Sequence, residues 1–125
     1  MATFKPGDVV KVPFPYTDRP TRKYRPALVI SVEKLQSLHS LVWVLMITSA
    51  ANRGWPGDVV IDNLKRAGLP VASLVRTAKI ATIDAGDATR LGAIPTATLR
   101  TVRRKLGKTL DMLEKSEITV PGKPS

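Results

Sequence analysis

The sequence contains no cysteine and only one histidine, His39. The absence of thiols excludes disulfides, iron–sulfur clusters and cysteine nucleophiles, and a single imidazole excludes RNA cleavage by a pair of histidines. The ten Asp and Glu residues are scattered, with no close pair of the kind that two-metal phosphate chemistry requires. Glycine-rich loops of the types that hold nucleotides are also missing. The sequence therefore predicts no cofactor and no metal.

Long apolar runs are missing as well, and about 18 consecutive apolar residues are needed to cross a bilayer. The first seven residues lack the apolar core of a signal peptide, and the lack of cysteine fits a cytoplasmic location. Negative charge is scarce, because 20 Lys and Arg stand against 10 Asp and Glu, for a net charge of +10. This balance favours a polyanionic partner. It indicates a class of partner and no particular chemistry.

The 125 residues predict one domain over residues 1–115 and a flexible tail over residues 116–125. Short β-rich runs predict six strands, over residues 8–14, 27–32, 41–47, 58–61, 72–75 and 79–83. Because no long helical spacers separate them, we expect a mainly β fold in which an antiparallel sheet is rolled into a small barrel. The polar connector over residues 33–40, which includes His39, is expected to be a solvated loop.

The last third of the sequence has a helical period. A helix capped by Thr96 or Thr98 is predicted to extend to about Lys115. Its apolar stripe consists of Leu99, Val102, Leu106, Leu110 and Leu113. We expect this amphipathic helix to pack against the barrel.

The loop between the first two strands combines cations with aromatic rings. Residues 13–26 contain four basic side chains, two tyrosines and four prolines. Single-stranded nucleic acid is bound by such sets, with cations on its phosphates and rings on its unstacked bases. The candidate substrate-binding residues of this segment are Tyr16, Arg22, Lys23 and Tyr24. The alternative is a rigid proline-rich hairpin with solvated charges.

Several motifs resemble those of the MazF/PemK family, toxin ribonucleases of type II toxin–antitoxin systems. The first is Gly7-Asp-Val-Val-Lys-Val-Pro-Phe-Pro-Tyr-Thr-Asp18, followed by Arg25-Pro-Ala-Leu-Val-Ile-Ser31. The others, in the same order as in the family, are Ile47-Thr-Ser49, Gly68-Leu69 with Ser73, Val75-Arg76, Lys79-Ile80 with Thr82-Ile-Asp84, and Arg90-Leu-Gly92. The resemblance covers roughly residues 5–115.

This resemblance implies an SH3-like small barrel of the MazF/CcdB type with a C-terminal helix, assembled as a homodimer. It also implies a metal-independent endoribonuclease that cuts single-stranded mRNA at short sequences and is inhibited by a cognate antitoxin with an acidic tail. The family's catalytic arginine and threonine match Arg25 and Thr48. The first loop departs from many family members, so the RNA sequence that is cut does not follow from the resemblance.

Arg25 is expected to stabilise charge on the phosphorane, because a guanidinium meets phosphate oxygens with two parallel hydrogen bonds. It is a poor general base, since deprotonating an ordinary arginine at pH 7 costs on the order of 7–9 kcal/mol. Thr48 is expected to form a hydrogen bond with the scissile phosphate or with the nucleophile. Ser49 is a weaker auxiliary, and Arg76 and Lys79 are expected to contact substrate phosphates. The alternative for Lys79 is a position on a solvated strand face.

Two other functions remain open from the sequence. A non-catalytic nucleic-acid-binding barrel would need only the positive charge and the fold. A CcdB-like toxin directed at gyrase would share the barrel and the dimer. Such gyrase poisons act through aromatic and apolar residues at the end of the chain, which the run Val120-Pro-Gly-Lys-Pro-Ser125 lacks.

Overall fold

The β-rich part of the chain forms one curled antiparallel sheet of six strands. The structure, a computed structural model, describes residues 2–14 and 23–112. The strands are β1 (Asp8–Pro13), β2 (Tyr24–Val29), β3 (Leu41–Ser49), β4 (Asp58–Ile61), β5 (Ser73–Asp84) and β6 (Thr89–Ala93). Their order across the sheet is β4-β5-β3-β2-β1-β6. The helices are α1 (Glu33–His39), α2 (Leu64–Ala67) and α3 (Thr96–Thr109), with two single 3₁₀ turns, Ala50–Asn52 and Ala85–Asp87.

The curl brings the two edges of the sheet together through α2, which follows β4 and packs on β6. Two glycines permit this approach. A Cβ on Gly68 would collide with the backbone of Leu91 in β6, and a Cβ on Gly92 would collide with the carbonyl of Arg66 in α2. Gly68 also ends α2 with a φ of +74°, a conformation that glycine adopts without steric cost. The half-barrel is therefore closed by packing of α2 on β6.

Side chains alternate between the two faces along each strand, and in the central strands β1, β2 and β3 both faces carry buried apolar side chains. The inner face has Val9, Leu28, Leu45 and Ile47 in one core, which also contains Leu99 and Val102 of α3. The outer face forms a second core from Phe4, Val10, Val12, Ala27, Val29, Val42, Val44, Met46, Ile83 and Ala85. Two-sided burial explains why β3 has the most apolar sequence of the chain.

The mainly β fold with a C-terminal helix is confirmed, but several predicted boundaries were wrong. The predicted strands over residues 72–75 and 79–83 form one strand, β5. The sixth strand is instead β6, which the sequence analysis missed. Residues 33–39 form α1 and not a loop. That helix is held in place by Gln36, whose side chain accepts a hydrogen bond from the amide of Phe4 and donates one to the carbonyl of Ala2.

Helix α3 ends earlier than predicted and has no side-chain cap, because its N-cap position is Pro95. Leu99 and Val102 are buried and Leu106 packs against the same core, as the stripe predicts. Leu110, however, is exposed beyond the last helical turn. Leu113, the predicted helix end at Lys115 and the predicted tail over residues 116–125 lie outside the described residues.

Among residues 2–14 and 23–112, no helix is long and apolar enough to cross a membrane. The same residues contain no cluster of three or more His, Asp or Glu side chains that could hold a metal ion. His39 lies at the end of α1 with its side chain exposed.

Candidate active site

A cleft with a volume of about 410 Å³ opens where β2 begins and β3 ends. The segment after α2 and an irregular part of β5 complete its walls. The lining residues are Phe14, Arg25, Pro26, Met46, Ile47, Thr48, Ser49, Asn52, Leu69, Pro70, Val71, Ser73, Arg76 and Lys79. Three of these side chains are cationic, and none of the described lining residues is acidic. The cleft therefore suits an anion that also carries apolar surface.

Arg25 and Thr48 reach this cleft from neighbouring strands. The ladder between β2 and β3 ends at the pair Ala27 and Met46, and Arg25 and Thr48 lie two residues beyond this pair on their own strands. Ala27 and Met46 both belong to the outer core, and residues two apart on a strand share a face. The guanidinium and the hydroxyl therefore project from the same face, just beyond the end of that core.

The first strand pair positions the side chain of Arg25. Its guanidinium carbon lies 5.4 Å from the centre of the Phe14 ring, within the range of a cation–π contact. The amide of Phe14 donates to the carbonyl of Lys23 at 2.6 Å, which fixes the ring beside the strand. Arg25 is exposed, so this contact aligns the guanidinium without burying it.

Thr48 and Ser49 lie at the end of β3, where the chain turns into the 3₁₀ turn Ala50–Asn52. The Asn52 side-chain amide donates to Thr48 Oγ1 at 2.9 Å. Ser49 Oγ accepts from the amide of Ala51 at 3.2 Å and so caps the turn. The contact observed for Ser49 is structural, although its hydroxyl also lines the cleft.

Arg76 is nearly buried and is held on three sides. Its Nε and Nη2 donate to the Asp58 carboxylate at 3.2 and 3.0 Å, and Nη2 also donates to the carbonyl of Asn52 at 2.6 Å. The ring of Trp55 lies over the guanidinium, with its centre 4.2 Å from the Arg76 carbon. Arg76 therefore links β4 and β5 to the Ala50–Asn52 turn. Its predicted contact with a substrate phosphate stays a prediction.

The part of β5 that carries Arg76 and Lys79 bulges away from β3. Leu45 pairs with Ile80 and Ile47 with Val75, so residues 76–79 stand opposite the single residue Met46. A bulge of this kind redirects side chains and is common beside functional sites. It brings the half-buried Lys79 to the cleft, where its ammonium lies 5.5 Å from the centre of the Trp55 ring.

Of the other predicted substrate-binding residues, Lys23 and Tyr24 are exposed at the start of β2. The ammonium of Lys11 lies 5.9 Å from the centre of the Tyr24 ring. Neither Lys23 nor Tyr24 lines the cleft, although the adjacent Arg25 does. Tyr16 and Arg22 lie outside the described residues.

Four residues of the site region were missed by the sequence analysis: Phe14, Asn52, Trp55 and Asp58. Phe14 and Asp58 fall in the strands predicted over residues 8–14 and 58–61, and Asn52 and Trp55 fall between predicted strands. Their involvement depends on register and on contacts between elements distant in sequence, and no local pattern marks such contacts. The Gly68-Leu69 and Ser73 motif gave one usable signal, because Leu69 and Ser73 both line the cleft.

Comparison with protein families gives a match to a model described as PemK-like, MazF-like toxin of type II toxin–antitoxin system, over residues 5–110. The chain belongs to this family. The match spans the whole described fold, from the approach to β1 to the end of α3, and it confirms the resemblance found in the sequence motifs. No curated protein sequence gives a significant match.

Solved structures of MazF proteins have the same fold. MazF from Deinococcus radiodurans is 28% identical, with a TM-score of 0.72 over 90% of this chain and 100% of that one. The MazF in a MazE–MazF structure from the same organism is also 28% identical, with a TM-score of 0.71 over 90% and 99% of the two chains. A mycobacterial endoribonuclease in complex with its cognate antitoxin is 19% identical, with a TM-score of 0.71 over 89% and 98%. The last likeness is one of fold alone.

Proposed function

We propose that this MazF-like protein is the toxin of a type II toxin–antitoxin pair and acts as a sequence-specific endoribonuclease on single-stranded mRNA. The observation that carries the proposal is the presence of Arg25 and Thr48 in one cationic cleft, on the same face of adjacent strands. This is the pair that the family resemblance assigns to catalysis. The proposed reaction needs no metal and no cofactor.

In this reaction the 2′-hydroxyl of the RNA attacks the neighbouring phosphorus. A bond forms between the 2′-oxygen and phosphorus while the bond from phosphorus to the 5′-oxygen breaks. One proton leaves the 2′-oxygen and one is added to the 5′-oxygen, so no water is consumed. The products are a 2′,3′-cyclic phosphate and a 5′-hydroxyl end.

Arg25 stabilises the charge that develops on the phosphorane oxygens, because its planar fork donates two hydrogen bonds at once. Losing one preorganised donor of this kind typically raises the barrier by about 3–4 kcal/mol. Thr48, on the adjacent strand, donates a hydrogen bond from its hydroxyl to the same phosphate group. Lys79 contributes positive charge at the cleft and holds the backbone of the substrate.

The apolar part of the lining suits the bases and sugars on either side of the cleaved bond. Leu69, Pro70 and Val71 line one wall of the cleft, and they can contact an unstacked base. We assign the choice of RNA sequence to this wall together with the segment that includes Tyr16, Arg22, Lys23 and Tyr24.

The partners follow the same proposal. A cognate antitoxin with an acidic tail would occupy the cationic cleft and block RNA by charge complementarity. The active form is a homodimer in the cytoplasm. Each copy has a single MazF-like domain over residues 1–115. The MazE–MazF structure from Deinococcus radiodurans supports the expectation of an antitoxin partner.

The experiment is incubation of the purified protein with a defined single-stranded RNA, with and without a chelator, followed by mapping of the cut ends. We expect cuts at one short sequence, 2′,3′-cyclic phosphate and 5′-hydroxyl ends, and the same rate with the chelator present. Binding without cut products would instead identify a nucleic-acid-binding barrel. Inhibition of gyrase without RNA cleavage would identify a CcdB-like toxin. Either result would contradict the proposal.

A further inference from the structure

The side chain of Asn52 fixes the direction of the Thr48 hydroxyl. A threonine hydroxyl has one proton to donate and two lone pairs that accept. Here the Asn52 amide donates to Thr48 Oγ1 at 2.9 Å, so one lone pair is used. An amide N–H aimed at this oxygen also excludes the hydroxyl proton from the same direction. The Thr48 proton must therefore point away from Asn52.

Hydrogen bonds anchor the backbone of Asn52, whose side chain is exposed. The buried Arg76 donates to its carbonyl at 2.6 Å, and the Asp58 carboxylate holds the same guanidinium. The turn that carries Asn52 is tied to the opposite wall of the cleft, because the amide of Ala50 donates to the carbonyl of Ala72 at 2.8 Å. The donor that orients Thr48 is thus anchored to β4, β5 and the segment before β5.

We propose that Asn52 is a positioning residue, which acts through Thr48 by holding the threonine hydroxyl as a hydrogen-bond donor toward the cleft. The Asp58 and Arg76 pair supports it by fixing the Asn52 backbone. This inference rests on the proposed function, since the acceptor in the cleft is the scissile phosphate. Preorganised donors are effective because they need not reorient during the reaction.

The test is a double-mutant cycle between Asn52→Ala and Thr48→Val, measured as single-turnover RNA cleavage. Valine keeps the shape of threonine and removes the hydroxyl. In the wild-type background, Asn52→Ala should lower the maximal rate about tenfold, as expected for one oriented hydrogen bond, and leave the RNA concentration at half-maximal rate unchanged. In the Thr48→Val background, Asn52→Ala should have no further effect. An equal loss in both backgrounds would overturn the inference.

A second variant tests the direction of the hydrogen bond. Asn52→Asp introduces a nearly isosteric carboxylate that accepts and cannot donate, so the Thr48 proton should turn toward this carboxylate and no longer be available to the phosphate. The cleavage rate of Asn52→Asp should be lower than that of Asn52→Ala. In a Thr48→Val background, the part of this rate loss that depends on the threonine hydroxyl should be absent. A rate for Asn52→Asp equal to or above that of Asn52→Ala would contradict the assignment.

Nuclear magnetic resonance separates this inference from the proposed function. In the free wild-type protein, the side-chain amide protons of Asn52 should show slowed exchange and a shifted resonance, and Thr48→Val should abolish both. If this coupling is seen and the protein cuts no RNA, the proposed function fails and the Asn52–Thr48 contact stands. If RNA is cut and Thr48→Val leaves the Asn52 signals unchanged, the contact fails and the proposed function stands.

Discussion

The pair formed by Asp58 and Arg76 provides a quantitative test of the framework behind the cleft. Their side chains are only 10% and 9% exposed, and two hydrogen bonds join them. Substituting Asp58 by Ala leaves the guanidinium buried without its counter-charge. Removal of one partner of a buried pair typically costs about 3–5 kcal/mol, chiefly because the remaining charge is desolvated and unpaired.

This loss in the free energy of unfolding converts into a lower melting temperature. An entropy of unfolding of about 2.1 cal/mol/K per residue gives about 0.26 kcal/mol/K for a chain of this length. Asp58→Ala should therefore lower Tm by about 11–19 °C in a thermal melt followed by circular dichroism. The matched control is Asp62→Ala, because Asp62 is exposed and surface substitutions usually change stability by less than about 0.5 kcal/mol.

A third variant distinguishes charge from packing. The double substitution Asp58→Ala with Arg76→Met removes both charges, so it should be more stable than Asp58→Ala alone. If Asp58→Ala melts within about 4 °C of the wild type, which corresponds to about 1 kcal/mol, the pair is not desolvated and the reasoning is refuted.

Two further predictions concern the closure of the sheet and the rim of the cleft. Gly68→Ala and Gly54→Ala both place a Cβ on a residue with positive φ, but only the Cβ at residue 68 would collide with backbone, that of Leu91. Chemical denaturation should show that Gly68→Ala lowers the free energy of unfolding by at least about 1–3 kcal/mol more than Gly54→Ala does. Equal losses would argue against closure through α2. Trp55 is 45% exposed beside two cations, so in a Trp43→Phe background its fluorescence should change on RNA binding. If a base stacks on the ring, Trp55→Ala should weaken RNA binding by the equivalent of about 1–3 kcal/mol. Unchanged emission at saturating RNA would place Trp55 outside the bound RNA.

The sequence predicted the class of fold because the strand pattern and the amphipathic stripe of α3 are strong local signals. It missed β6, whose side chains are mostly exposed and show no apolar alternation. It also missed α1, which is short, polar and stabilised by a long-range contact between Gln36 and the amide of Phe4. The division of β5 into two predicted strands reflects the bulge at residues 76–79, where the local pattern breaks although the strand continues.

The candidate site was predictable only through the family motifs. Composition excluded histidine and thiol chemistry, but nothing in the spacing of Arg25 and Thr48 brings them together. Their proximity comes from the antiparallel register of β2 and β3, which a single sequence does not specify. The support from Asn52, Arg76 and Asp58 depends on contacts across 18 and 24 residues of sequence.

The most direct test of the proposal that Arg25 acts on the cleaved phosphodiester is the single-turnover cleavage rate of Arg25→Ala. The exposed Arg100 of α3 provides the control, since Arg100→Ala removes the same charge away from the cleft. We expect Arg25→Ala to cut RNA about 10²–10³-fold more slowly than the wild type with an unchanged melting temperature, and Arg100→Ala to cut at nearly the wild-type rate. Cleavage by Arg25→Ala at the rate of the control would contradict the proposed mechanism.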